Sequence, residues 1–150
     1  MRLVSPSEVP LIWQKVLPGI ERAMVYSDSI YAGEDFYKDL VSGFSDLWVI
    51  EEEGEVIAHS ITQILRYPRM TFLRILTAEG KSKGMPFYIY DHLPDIEEYA
   101  KSQGCEFIEA PTRKGMARVL EKHGWKLQYT IVTKRIENER ISEKPGTVTG

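Results

Sequence analysis

Cysteine is almost missing from this sequence: Cys105 stands alone in 150 residues. An intrachain disulfide is thereby excluded, and a reducing compartment is expected. Histidine is scarce too. His59, His92 and His123 sit at intervals that match no metal-ligand spacing, so no metal site is expected. No run approaches about 18 consecutive apolar residues, which excludes a helical membrane span. The opening residues Met1-Arg2-Leu3-Val4-Ser5-Pro6 lack the apolar stretch of a signal peptide. No membrane partner is expected. A basic excess is missing as well: 19 Lys and Arg face 22 Asp and Glu, a net charge of −3. A dedicated nucleic-acid binder usually carries the opposite balance.

What is present is ordinary. With 43% apolar and 27% charged residues, the chain has the profile of one soluble globular domain. A domain of this size buries roughly 70% of the surface its unfolded chain exposes. It needs neither disulfide nor metal for stability. Cys105 opens the apolar run Cys105-Glu106-Phe107-Ile108 and reads as a small core residue.

Periodicity supplies the elements. Residues 1–5 suit a short first strand. Ser7 offers a helix N-cap, followed by a stripe at Val9, Ile12, Trp13, Val16, Leu17, Ile20 and Met24 that keeps helical period. Pro18 lies inside this stripe and is expected to kink or split the helix. Asp35–Ser42 predicts a second helix closed by Gly43. Leu47–Ile50 and Val56–Leu65 read as a hairpin around Glu53-Gly54, and Thr71–Ala78 as a third strand after the Tyr67-Pro68-Arg69 turn. Leu93, Ile96, Tyr99 and Ala100 mark a helix before Gly104, Cys105–Glu109 a short buried strand, and Lys114–His123 a helix closed by Gly124. Trp125–Ile136 alternates like a long final strand, and the polar residues 137–150 read as a mobile tail. The strand–helix–strand unit from Thr71 to Glu109 should pair in parallel. The expected class is α/β of the α+β type: a mixed, twisted central sheet with an antiparallel meander and helices on both faces. One domain is expected over residues 1–136.

The order and spacing of several stretches carry a resemblance. They are Leu47-Trp48-Val49, Tyr67-Pro68-Arg69, Leu73-Arg74-Ile75-Leu76 before Ala78-Glu79-Gly80, Ile96-Glu97-Glu98-Tyr99-Ala100 before Gln103-Gly104-Cys105, and Arg113-Lys114-Gly115-Met116-Ala117-Arg118-Val119-Leu120 before Gly124-Trp125. In this the chain resembles the GNAT (GCN5-related N-acetyltransferase) superfamily. The nearest pattern is that of the GNAT-like proteins of tailed bacteriophages and prophages. The resemblance implies acetyl-CoA as donor and an amine as acceptor. The third meander strand, at Leu76, Thr77 and Ala78, would hold the pantetheine arm. The loop Gly80-Lys81-Ser82-Lys83-Gly84 would hold the pyrophosphate on backbone N–H groups. Arg113 would lie at the same cleft.

The sequence departs from the family pattern in that loop, where no Gln or Arg precedes Gly-x-Gly or Gly-x-Ala in frame. Leu120 stands where the enzymes often carry a tyrosine that protonates the leaving thiolate, and the family's asparagine position falls near Arg113. Glu79 could act on an amine through water. His123 and Tyr129 are the substitutes for the missing acid. Each also has an ordinary reading: a turn carboxylate, a histidine beside a capping glycine, a packed strand tyrosine. His59, alternating with Ile57 and Ile61, is expected to be buried.

Charge is unevenly spread. Arg66, Arg69, Arg74, Lys81 and Lys83 gather in residues 66–83, and Arg113, Lys114, Arg118, Lys122 and Lys126 in 113–126. Both stretches suit the phosphates of coenzyme A, and they leave a nucleic acid or a virion-protein surface open as partner. Two readings therefore stand side by side. One is an acetyl-CoA-dependent N-acyltransferase in the bacterial host cytoplasm. The other is a non-catalytic protein of the same fold, either a virion accessory in head assembly or DNA packaging and injection, or a binder of a phage or host protein.

Overall fold

The computed structural model describes residues 1–25, 31–80, 91–112 and 114–137. The chain divides into two compact units, residues 1–112 and 113–150.

The first unit is organised by its meander. β1 (Arg2–Val4), β2 (Asp46–Glu52), β3 (Glu55–Tyr67) and β4 (Met70–Gly80) follow one another across the sheet, each antiparallel to the last, and β5 (Ile108–Glu109) pairs in parallel with β4. The β2–β3 turn is the expected Glu53-Gly54, with φ of 51° and 80°. Two positive φ values in succession make the turn whose twist matches that of its flanking strands.

The β3–β4 register carries one irregularity. Thr62 pairs with Ile75 and Ile61 with Thr77, so Leu76 is an extra residue on β4, a β-bulge. Beyond it the alternation of β4 is reset. Phe72 and Arg74 before the bulge share a face with Thr77 and Glu79 after it, because their partners Leu65, Gln63, Ile61 and His59 alternate without interruption.

α1 (Val9–Met24) and α2 (Gly33–Ser42) cover that face. Val9, Ile12, Val16 and Ile20 of α1 and Phe36 and Leu40 of α2 form one core with Val4, Leu47, Val49 and Ile61. α3 (Leu93–Ser102) covers the other face through Leu93, Ile96 and Ala100. There the Trp48 Nε1–H donates to Thr62 Oγ1 at 3.0 Å and Tyr99 Oη donates to Asp46 Oδ2 at 3.1 Å. Burial, then the Asp46 charge, pushes the Tyr99 phenol up to about 12, so it stays a donor.

Four local expectations are corrected. Ser7 is not the cap of α1. The N-cap is Glu8, whose side chain makes no capping bond; its carboxylate accepts from Arg2 Nη1 and Nη2 at 2.9 and 2.6 Å instead. Pro18 does not split α1, which runs unbroken through it. The proline is exposed, and only one ladder donor is lost there. Cys105 is half-buried rather than core, and its N–H donates to Ala100 O at 2.9 Å to close α3. Burial raises its thiol, which disfavours the reactive thiolate. The strand expected over Cys105–Glu109 is reduced to Ile108–Glu109.

The second unit contains α4 (Lys114–Glu121), with Leu120 buried and a left-handed Gly124 after it. The long strand expected over Trp125–Ile136 is not formed among the described residues, and Leu127, Tyr129, Ile131, Val132 and Ile136 are exposed. Period-2 alternation makes a segment competent for a ladder, but only a neighbouring strand makes it one. The expected tail lies outside the described residues from 138 onward. No described helix is long and apolar enough to cross a membrane.

The central position of β3 is testable. Ile61 is fully buried, and Ile61→Ala should cost about 3 kcal/mol, read as a lower urea midpoint at constant slope. A cost below about 1 kcal/mol would contradict the packing described.

Candidate active site

The β3–β4 register sets His59 directly opposite Glu79, two residues from the Ile61–Thr77 pair. All four side chains project toward α1. On α1, Arg22 stands in the last turn. Its Nε donates to Glu79 Oε2 at 2.7 Å and its Nη2 to Glu79 Oε1 at 3.4 Å. The His59 ring is buried at 1% exposure. Its Nε2 lies 2.9 Å from Thr77 Oγ1 and its Nδ1 3.7 Å from Glu79 Oε1.

A neutral ring with its proton on Nδ1 satisfies both contacts: Nδ1–H faces the carboxylate, and Nε2 accepts from the Thr77 hydroxyl. Ser60 Oγ donates to the Thr77 carbonyl at 2.8 Å and holds the strand from the other side. Burial pushes the His59 imidazole below its ordinary value of 6.5, against the pull of the Glu79 carboxylate. Burial alone would push Glu79 up. The contacts with His59 and Arg22 outweigh it and hold the carboxyl below its ordinary 4.5. Near neutrality the cluster is therefore a neutral imidazole beside a carboxylate–guanidinium pair.

Gly19 makes room for it. A Cβ at that position would stand 2.9 Å from Glu79 Oε1 and 3.1 Å from His59 Nδ1. Glycine inside a helix costs about 1 kcal/mol relative to alanine, and here it lets α1 close onto two polar side chains.

β4 has a second notable edge. Its pairing with β5 covers only Leu73 and Arg74, with the Leu73 N–H donating to Phe107 O and Thr71 O accepting from Glu106 N. From Ile75 to Gly80, the side of β4 away from β3 has no strand partner among the described residues. Glu79 lies at the end of this stretch.

The expected site residues distribute as follows. Leu76 is the bulge residue, Thr77 is the partner of His59, Ala78 pairs with Ser60, and Gly80 ends β4 opposite Ala58. Lys81, Ser82, Lys83, Gly84 and Arg113 lie outside the described residues. His123 and Tyr129 are exposed and belong to the second unit, whereas Glu79 belongs to the first. Among the described residues no group of His, Cys, Asp and Glu could hold a metal. Sequence reasoning missed Arg22 and Gly19. The signal was there: Pro18-Gly19 puts two helix-disfavouring residues beside the buried stripe, and glycine in such a place marks close approach.

A separate groove of about 560 Å³ runs between α1 and α2, with Trp13, Tyr37, Glu21 and Glu34 among its walls. By helical period, Trp13, Leu17 and Glu21 face away from the flank of α1 that carries Gly19 and Arg22. This groove is not part of the Glu79 cluster.

Two measurements check the cluster. Gly19→Ala should destabilise the protein by about 1 kcal/mol despite the better helix propensity of alanine. In a Glu79→Ala background that penalty should shrink; an unchanged penalty would show that Glu79 is not what the Cβ meets. Both depressed pKa values make the unfolded chain the stronger proton binder as pH falls. The His59 contribution to stability is complete above pH 6.5 and declines below it, and the Glu79 contribution declines below 4.5. Each declines by up to about 1.4 kcal/mol per pH unit. His59→Gln should remove the decline that begins near 6.5 in urea titrations; its persistence would contradict a buried neutral imidazole.

No family model and no curated protein matches this chain. Solved structures do match it. A GNAT family acetyltransferase from Staphylococcus aureus superposes with a TM-score of 0.64 at 18% identity, covering 90% of this chain and 96% of that one. An aminoglycoside acetyltransferase from an uncultured soil metagenomic sample, in complex with sisomicin, gives 0.67 at 12% identity over 91% and 95%. A ribosomal-protein-alanine N-acetyltransferase from Brucella melitensis gives 0.60 at 11% over 90% and 98%. The meander, the parallel β4–β5 pair and the helices on both faces of the sheet together are the fold of the GNAT acetyltransferases.

Proposed function

We propose that this protein is an acetyl-CoA-dependent N-acetyltransferase acting on an amine. The observation that carries the reading is the edge of β4 from Ile75 to Gly80, which has no strand partner among the described residues and carries the Glu79 carboxylate at its end. An open edge takes an extended, amide-bearing chain as it would take another strand. The arm of coenzyme A is such a chain, and Leu76, Thr77, Ala78 and Gly80 would hold it. Lys81, Ser82, Lys83, Gly84 and Arg113 would meet its phosphates. Bound acetyl-CoA would supply an acetyl thioester, whose thiol, with an ordinary pKa of about 8.5, needs little help in leaving.

Glu79 supplies the basic group. A carboxylate held below 4.5 does not deprotonate a free alkylammonium, whose pKa is about 10.4. Its work is to hold the amine's N–H and accept the proton as the nitrogen acquires charge during attack. His123 and Tyr129 remain the proposed sources of a proton for the product thiol. The aminoglycoside acetyltransferase with the same fold makes polycationic amines a first panel of acceptors. The resemblance to phage-encoded proteins, which rests on sequence alone, supports a place in an infected bacterial cytoplasm.

A second reading is a non-catalytic protein of the same fold. Leu120, buried and apolar where the resemblance puts an acid, favours it. Calorimetry with acetyl-CoA and thiol release with an amine panel separate the two. Transfer is expected, with Glu79→Gln lowering kcat about 100-fold and Lys81→Ala with Lys83→Ala weakening acetyl-CoA binding. No heat at millimolar acetyl-CoA would overturn the enzyme reading.

A further inference from the structure

We propose that His59 is a positioning residue for Glu79: its Nδ1–H, fixed by the Thr77 hydroxyl on Nε2, holds the carboxylate in place for the amine. This rests on the reading of Glu79 as the group that takes the amine's proton.

The geometry carries it. His59 is fully enclosed and has one polar neighbour at each ring nitrogen, Thr77 Oγ1 at 2.9 Å and Glu79 Oε1 at 3.7 Å. Threonine can donate to Nε2, and a carboxylate can only accept from Nδ1, so a single neutral tautomer satisfies both sides. Arg22 holds the other carboxylate oxygen at 2.7 Å. The carboxylate thus lies between the Arg22 guanidinium, which bonds it from α1, and the imidazole of β3, whose Nδ1 faces it at 3.7 Å. The other neighbours of His59 are Val49, its β2 partner, and Gly19 of α1, and the charge that reaches it from α1 is the Arg22 guanidinium, which also disfavours a protonated ring. The low imidazole pKa that burial causes keeps the ring neutral where the reaction would run.

The order hydroxyl, imidazole, carboxylate is also that of a nucleophilic triad. Here it is closed. Thr77 and His59 are both buried, and the glycine of α1 lies against the pair. The hydroxyl orients the ring, and the carboxylate is the one member of the chain that is partly exposed.

Two substitutions separate positioning from mere filling. His59→Asn keeps an N–H near the place of Nδ1, whereas His59→Gln keeps a polar atom near Nε2 and loses the donor to Glu79. In acetyl transfer to an amine, His59→Gln should lower kcat about tenfold with KM for acetyl-CoA unchanged, and His59→Asn should restore most of it. The Glu79 side-chain carboxyl, followed by 13C NMR, should titrate about one pH unit higher in His59→Gln than in the wild type. In the wild type, 15N NMR should find the proton on Nδ1. A proton on Nε2, or equal kcat and equal Glu79 titration in the two variants, would overturn the inference. A wild type that binds acetyl-CoA but acetylates no amine would overturn the reading of Glu79. The tautomer and the titration would still be read independently of that outcome.

Discussion

The pairing of β3 with β4 is the constraint on which the rest depends. It is the longest pairing in the sheet, and one extra residue, Leu76, divides it into two registers. Were Leu76 paired in regular register instead of bulged, Ile61 and His59 would oppose Leu76 and Ala78, and Thr77 and Glu79 would turn to the opposite face, toward α3 rather than α1. The Arg22–Glu79 pair and the His59–Thr77 bond would then both be impossible. Bulging at a single residue therefore decides which helix the carboxylate meets. The same bulge lies two residues past Arg74, the last residue of β4 that pairs with β5.

Polar groups packed beneath a helix ordinarily destabilise a small domain. Here each has a partner. The imidazole has two polar neighbours, the carboxylate accepts from two nitrogens of Arg22, and the threonine hydroxyl bonds the ring while its carbonyl accepts from Ser60. The unfavourable part is spread over neighbours: a glycine within α1, a proline before it, and a bulge in the central pairing. Charge pairs that are exposed, such as Arg2 with Glu8 and Glu51, contribute little by comparison. The satisfied cluster under α1 orders the end of β4 more strongly because breaking one bond strands a buried partner.

Much of this was legible in the sequence, for physical reasons. The stripe of α1, the Glu53-Gly54 turn and the Gly43 cap depend on local period and on φ, which residue types announce. Ser7 misled because the competition was tertiary: Arg2 reaches Glu8 and Glu51 together, and the turn before α1 needs no serine. Trp125–Ile136 misled because alternation describes a capacity for pairing, not a pair. At the site, Glu79 was readable as a carboxylate closing a strand. Its partners were not, because the bulge breaks the period-2 count that would have placed His59 and Glu79 on one face. Arg22 lies 57 residues from Glu79 in sequence, and only Gly19 hinted at the close approach between their elements.

The central claim is that the open edge of β4 receives the donor. Backbone amide shifts of the protein titrated with acetyl-CoA test it most directly. The account predicts that, within the first unit, the largest changes fall on Ile75 to Gly80, with Val9 to Val16 of α1 unmoved. Saturable binding that leaves Ile75 to Gly80 unperturbed, with its changes in the α1–α2 groove at Trp13 and Tyr37 instead, would contradict it.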